Sequence, residues 1–154
     1  MVNFTRELKL ENSAIQKTWK LTETLNCKDN GIYVAICKMP GCGESYVGQT
    51  TTSFNKRWSG HRFGWKESIG KTVSSVVDRD SDKTALSDHY KKAHASQYAK
   101  FCQIPHTTGF DKSFDVVFVD TARGSKKLSA LEDSWRHRTK STLNRCSIIT
   151  PNIN

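Results

Sequence analysis

Two thiols and two imidazoles stand at metal-ligand spacing in this chain. Four residues separate Cys37 from Cys42, and four separate His89 from His94. Cys₂His₂ is a donor set for tetrahedral Zn²⁺; the histidine pair falls inside the usual window and the cysteine pair at the wide edge of its own. The long gap between the pairs departs from a zinc finger, so the expected device is a clip pinning a helix to a hairpin. Ordinary reduced cysteines with surface histidines are the alternative, and Cys102 with His106 is a second pair from which a clip could be built. Around the cysteines lie Tyr33, Tyr46, Arg57 and His61, all within the stretch from Gly31 to His61. Core packing does not need that concentration of hydroxyl, guanidinium and imidazole groups.

Those side chains must be placed by a small set of elements. "IYVAIC" (32–37) is a β-rich apolar run and predicts a buried strand. "KMPGCGE" turns, since it holds Pro and two Gly, and "SYVGQT" returns as a second strand. Thr52 or Ser53 caps the next helix, whose Phe54, Trp58 and His61 share one face, and Gly60 and Gly64 weaken it near its end. Residues 70–82 read as a Ser/Asp-rich loop. "TALSDHYKKAHASQYAKF" reads as one helix, "QIPHTTGFDKS" as a loop and "SFDVVFVD" as a strong strand. The final helix is capped by Ser125 and carries a Leu128/Leu131/Trp135 stripe, with "TLNRCSII" closing as a turn and a short strand. This order predicts an α/β (α+β) fold, with a small mixed or antiparallel three-stranded sheet flanked by helices. Residues 1–30 read as an N-terminal extension of irregular, partly helical pattern, and 31–150 as the domain.

Lysine and arginine total 24 against 15 acidic residues, for a net charge of +9 and a pI near 9.4. Such a balance favours a polyanionic partner, most simply nucleic acid. No apolar run reaches the roughly 20 residues of a membrane span, and the first residues lack the apolar segment of a secretory signal. The cysteine count of 5 is odd, which favours reduced thiols or metal ligands over a disulfide framework.

Gly31-Ile32-Tyr33, Tyr46-Val47-Gly48, Arg57 in Lys56-Arg57-Trp58, His61, Glu132 and Asn144 follow one another in an order that resembles the GIY-YIG nuclease superfamily. The resemblance covers roughly residues 31 to 148. The Cys37/Cys42 and His89/His94 pairs, with "YVGQT" and a basic helix ending in His, resemble the endonuclease domain of Penelope-like retroelements. The resemblance implies a metal-dependent DNA endonuclease with structural Zn²⁺ and catalytic Mg²⁺ or Mn²⁺. Tyr33 would take a proton from the attacking water and Tyr46 would orient water or phosphate. Arg57 would hold the scissile phosphate through its fork of donors. Glu132, at a cleft edge without being buried, would hold the catalytic metal. His61 would share the base role or bind a tyrosine hydroxyl, or else simply cover the sheet. Asn144 would tie loops together beneath the site. Lys56, Arg62, Lys66, Lys71, Lys91, Lys92, Arg136, Arg138 and Lys140 would grip the DNA backbone.

Each of these residues has a plainer reading as strand packing or solvated surface charge. A zinc-stabilised binding module without catalysis is the rival from another class. A restriction or repair nuclease of the same fold is a second rival, with residues 63–84 the sizeable stretch for base reading. A dimer or a fusion partner would supply target specificity. An intracellular location, nuclear in a eukaryotic host, goes with the resemblance and the basic charge.

Overall fold

The computed structural model describes residues 6–21, 30–51, 53–69, 85–121, 128–141 and 143–144. Strand β1 spans Arg6–Glu11, β2 Gln16–Leu21, β3 Gly31–Cys37 and β4 Ser45–Thr50. Helices α1 (Phe54–Ser68), α2 (Ala85–Ala93), α3 (Ala95–Phe101) and α4 (His106–Ser113) precede β5 (Phe114–Asp120) and α5 (Leu128–Thr139). The architecture is mixed α and β, with two antiparallel sheets: β1-β2, and β4-β3-β5 with β3 at the centre.

Strand β3 is covered on both faces, which is why it reads as an unbroken apolar run. Side chains alternate across a strand. Tyr33, Ala35 and Cys37 therefore face Trp58, Trp65, Leu86, Tyr90, Phe110 and Phe114 in one core. Ile32 and Val34 face Leu8, Leu10, Val47, Val119 and Trp135 in the other. The first core receives α1 to α4; the second receives the β1-β2 hairpin and α5.

Two triplet glycines have steric causes. A Cβ on Gly48 would overlap the Tyr33 ring, which lies across it, and one on Gly31 would collide with the Asp120 carbonyl and the Phe118 ring. At the β3-β4 tip, Gly41 and Gly43 take φ of 83° and 67°, the left-handed region that glycine enters at little cost.

The N-terminal segment departs from its reading. Residues 6–21 form a hairpin, not an irregular helix-like stretch. Leu8 and Leu10 alternate inward with Glu7, Lys9 and Glu11 outward, and both leucines are fully buried. Asn12 Nδ2 also donates to the Gly43 carbonyl at 2.9 Å, tying the hairpin to the β3-β4 tip. The expected loop at 103–113 is largely helix α4, because Phe110 fills the aromatic core and Ser113 Oγ donates to the Gly109 carbonyl at 2.7 Å. The expected single helix over 84–101 is two, broken at His94, whose ψ of 49° is not helical. Ser53 is the cap of α1, accepting from the Lys56 amide, and the helix runs past Gly60 and Gly64 to Ser68. The expected loop at 70–82, the Ser125 cap and most of the closing strand lie outside the described residues.

The hairpin is part of the core, so Leu10→Ala is expected to cost about 2–5 kcal/mol. Urea unfolding followed by tryptophan fluorescence measures this; a cost below about 0.5 kcal/mol would mean that the hairpin is a detachable appendage.

Candidate functional site

Tyr33 and Tyr46 lie diagonally on neighbouring strands, Tyr33 opposite Gly48 and Tyr46 opposite Ala35. That register puts both on the α1 face, with ring centroids 6.2 Å apart. Helix α1 packs over them through Phe54, Trp58 and His61, which all meet the Tyr33 ring. The i, i+4, i+7 spacing of these three makes this one contact surface.

The polar tips of these residues converge. The Arg57 Nε donates to Tyr33 Oη at 3.2 Å, and its Nη2 donates to Tyr46 Oη at 3.4 Å. Tyr33 Oη and His61 Nε2 are 2.6 Å apart. Arginine only donates. Tyr33 thus accepts from Arg57 and shares a second hydrogen bond with His61 Nε2, in which the imidazole tautomer sets the donor. Burial pushes the Tyr33 hydroxyl up to about 12, against the pull of Arg57, so it holds its proton at neutral pH. Burial also works against charge on Arg57, but the two tyrosine oxygens more than offset it, so the guanidinium stays a cation. Beside the cluster, Gln49, Thr50, Thr51, Lys56 and Arg57 line an open cavity of about 240 Å³.

Glu132 departs from its expected exposure. It is only 9% exposed, and its Oε2 receives Arg136 at 2.9 Å, one helical turn away. Leu131 and Trp135 join the second core, and that packing draws Glu132 inward. It still lies near enough for its charge to raise the Tyr33 hydroxyl. Arg136, expected at the DNA backbone, is spent on this pair, and Arg62 pairs with Asp111 at 3.2 Å. Asn144, placed with the catalytic residues by order, binds backbone: its Oδ1 accepts from Val47 N at 2.8 Å and its Nδ2 donates to Val47 O at 2.6 Å. It closes the free edge of β4, an edge that would otherwise expose unpaired backbone groups.

Cys37, Cys42, His89 and His94 form a second cluster on the same face of β3. Their ligand atoms all lie within 4.8 Å of one another. The Cys37 Sγ to His94 Nε2 distance is 3.6 Å and the Cys42 Sγ to His89 Nε2 distance is 3.5 Å. Metal–sulfur and metal–nitrogen bonds of zinc length give a tetrahedral edge of about 3.5 Å. The four residues could therefore hold a metal ion such as zinc. Burial keeps His89 below its ordinary pKa, with Glu44 opposing and His94 adding, which favours the neutral imidazole that a metal needs. Burial pushes the Cys37 thiol up to about 12, so metal uptake here displaces a proton. The break at His94 is what lets the two histidines turn together, their rings 4.8 Å apart.

Sequence reasoning passed over Tyr90, whose hydroxyl takes the Cys37 thiol at 3.5 Å and donates to the Ser113 carbonyl at 2.8 Å. Its signal in the sequence is its spacing with Ala85, Leu86, His89 and Ala93 on one side of the helix. Cys102 and His106 do not join the cluster.

No family model, curated protein or solved structure matches the chain. Among the described residues, no helix is long and apolar enough to cross a membrane.

Two measurements bear on these clusters. Titration with Co²⁺ or Zn²⁺ is expected to reach one equivalent per chain and to release protons, and Cys42→Ser or His94→Ala to weaken uptake at least ten-fold; undiminished uptake by both variants would remove the cluster as a metal site. In a spectrophotometric pH titration, Tyr33→Phe is expected to remove an ionisation near pH 12. Tyr33 ionises above its ordinary 10.0, so its share of stability is complete below pH 10 and is lost as pH rises towards 12.

Proposed function

We propose that this chain is a metal-dependent endonuclease of GIY-YIG type that hydrolyses phosphodiester bonds in DNA, stabilised by a structural Zn²⁺. The observation that carries the reading is the convergence of Tyr33, Tyr46, Arg57 and His61 on one face. A hydroxyl hydrogen-bonded to an imidazole and a fixed guanidinium is suited to moving a proton beside a phosphate. The resemblance predicted these residues by order; their hydrogen bonds support it independently of order.

In this reading, Arg57 meets the non-bridging oxygens of the scissile phosphate and offsets the charge that grows on them. Tyr33 Oη takes a proton from the attacking water as its own proton passes to His61 Nε2 across the 2.6 Å contact. The shift means that Tyr33 need never stand as a free tyrosinate, which its burial disfavours. Tyr46, held by Arg57, orients the water or the phosphate. Glu132 is the carboxylate that would hold Mg²⁺ or Mn²⁺, whose charge would assist the leaving oxygen; binding there requires Arg136 to share or yield the carboxylate. Cys37, Cys42, His89 and His94 would hold Zn²⁺ as a clip between the β3-β4 tip and α2-α3. One such site cuts one strand at a time, so a double-strand break needs two turnovers or a dimer.

The Glu132–Arg136 pair favours the other reading, a zinc-stabilised nucleic-acid-binding module without catalysis. Supercoiled plasmid separates the two. Zinc-loaded protein with added Mg²⁺ or Mn²⁺ is expected to convert it to open circle, with Arg57→Ala slower by about 10²- to 10³-fold and Glu132→Ala inactive. The proper blank is zinc-loaded protein without added divalent ion, since a strong chelator would also strip the clip. Salt-sensitive binding with no conversion would favour the binding module.

A further inference from the structure

Helix α1 carries a feature that neither cluster uses. Phe63 is 56% exposed, and with Ile69 it makes up the exposed large apolar residues among those described. Lys56, Gly60, Phe63 and Glu67 fall within about 40° of one line along the helix at 100° per residue. Lys56, Phe63 and Glu67 are exposed, and a Cβ on Gly60 would meet nothing within 4 Å. The row therefore has a cation at one end, bare backbone in the middle and an upright aromatic ring beyond it. Lys56 is also in the wall of the 240 Å³ cavity that reaches Arg57.

A lone exposed phenylalanine is ordinary on a protein surface. This one is in register with a cavity lined by two cations, and the helix between them is unobstructed. Lys66 adds positive charge to α1, while Glu67 closes the row with a negative one. The occupant that matches is an anionic chain carrying flat apolar groups, which is a nucleic-acid strand. Phe63 lies about 10 Å along the helix axis from Lys56, on nearly the same line. That distance corresponds to about three base steps of 3.4 Å.

We infer that α1 is a substrate track: the cavity at Lys56 and Arg57 takes a phosphate, the strand passes over Gly60, and Phe63 stacks on a base about three steps away. This rests on the nuclease reading for which phosphate is cut, but not for the binding itself. A base inside an intact duplex offers no open face, so stacking on Phe63 requires it to leave its neighbours. Unstacking costs least where pairing is already lost. The track thus selects DNA with a mismatched, bulged or single-stranded base near the cut over a perfect duplex.

The test uses the full, zinc-loaded chain with no added Mg²⁺, so that binding is read without cleavage. Anisotropy compares a labelled perfect duplex with the same duplex carrying one unpaired 2-aminopurine, and 2-aminopurine quenching reports stacking. The expected result is quenching at the unpaired base and tighter binding of that duplex. Phe63→Ala is expected to lose the quenching and about ten-fold in affinity, Phe63→Tyr to restore both and Phe63→Leu to restore neither. Lys56→Ala should weaken both duplexes alike and lower the salt slope by about one. Equal binding of both duplexes, or a Phe63→Ala variant that quenches like wild type, would overturn the track while leaving the plasmid result untouched. Plasmid conversion that fails while the Phe63-dependent preference holds would sink the nuclease reading and keep the track.

Discussion

The burial of β3 on both faces is the constraint on which the rest depends. One strand must present apolar groups to the hairpin and α5 on one side and polar-tipped aromatic and sulfur groups to α1–α4 on the other. Period-two alternation meets both demands at once. It sends Ile32 and Val34 to the apolar core and Tyr33, Ala35 and Cys37 to the other face. Tyr33 and Cys37 therefore stand on one line, about 13 Å apart at strand rise. A register slip of one residue would bury the chemistry under the hairpin and turn the aliphatic set towards the helices.

The two clusters share a packed wall. Trp65 of α1 meets Tyr90, Tyr98 and Phe110 from three other helices. Tyr90 touches Cys37 and His94, and Trp58, against Phe110, touches Tyr33. Interiors are close-packed, so a displacement at one end of such a chain is felt at the other. A metal at the cysteines and histidines would fix α2 and α3, and through them the helix that carries Arg57 and His61.

Several of the cations among the described residues are engaged within the fold. Arg136 is committed to Glu132 and Arg62 to Asp111, while Arg57 gives two of its donors to tyrosines. Arg138 stacks on Trp135 at 3.9 Å, and Lys17 sits over Trp19 at 5.2 Å, with the two tryptophans edge to face. This ladder fastens the N-terminal hairpin to α5. Net charge alone overstates how many cations are ready for a polyanion. The exposed lysines, such as Lys56 and Lys66, are the better guide to where one would lie.

Sequence by itself determined the features that depend on local pattern. The β3-β4 hairpin, α1 with a cap at Thr52 or Ser53, β5 and the apolar stripe of α5 follow from alternation, turn residues and helical spacing. The metal cluster was legible because thiol and imidazole spacing is itself a chemical signature, and the Tyr33/Tyr46 face because two strands joined by a hairpin have few registers. Tertiary structure decided what needed a partner distant in sequence. Residues 6–21 became a hairpin because Leu8 and Leu10 had a sheet face to cover, a target invisible from the segment alone. Residues 106–113 became helical because the aromatic core had room for Phe110, and helix 85–101 broke so that two imidazoles could meet two thiols. Glu132 turned inward because Arg136 could neutralise it there, and burial of an acid is tolerable only when its charge is met.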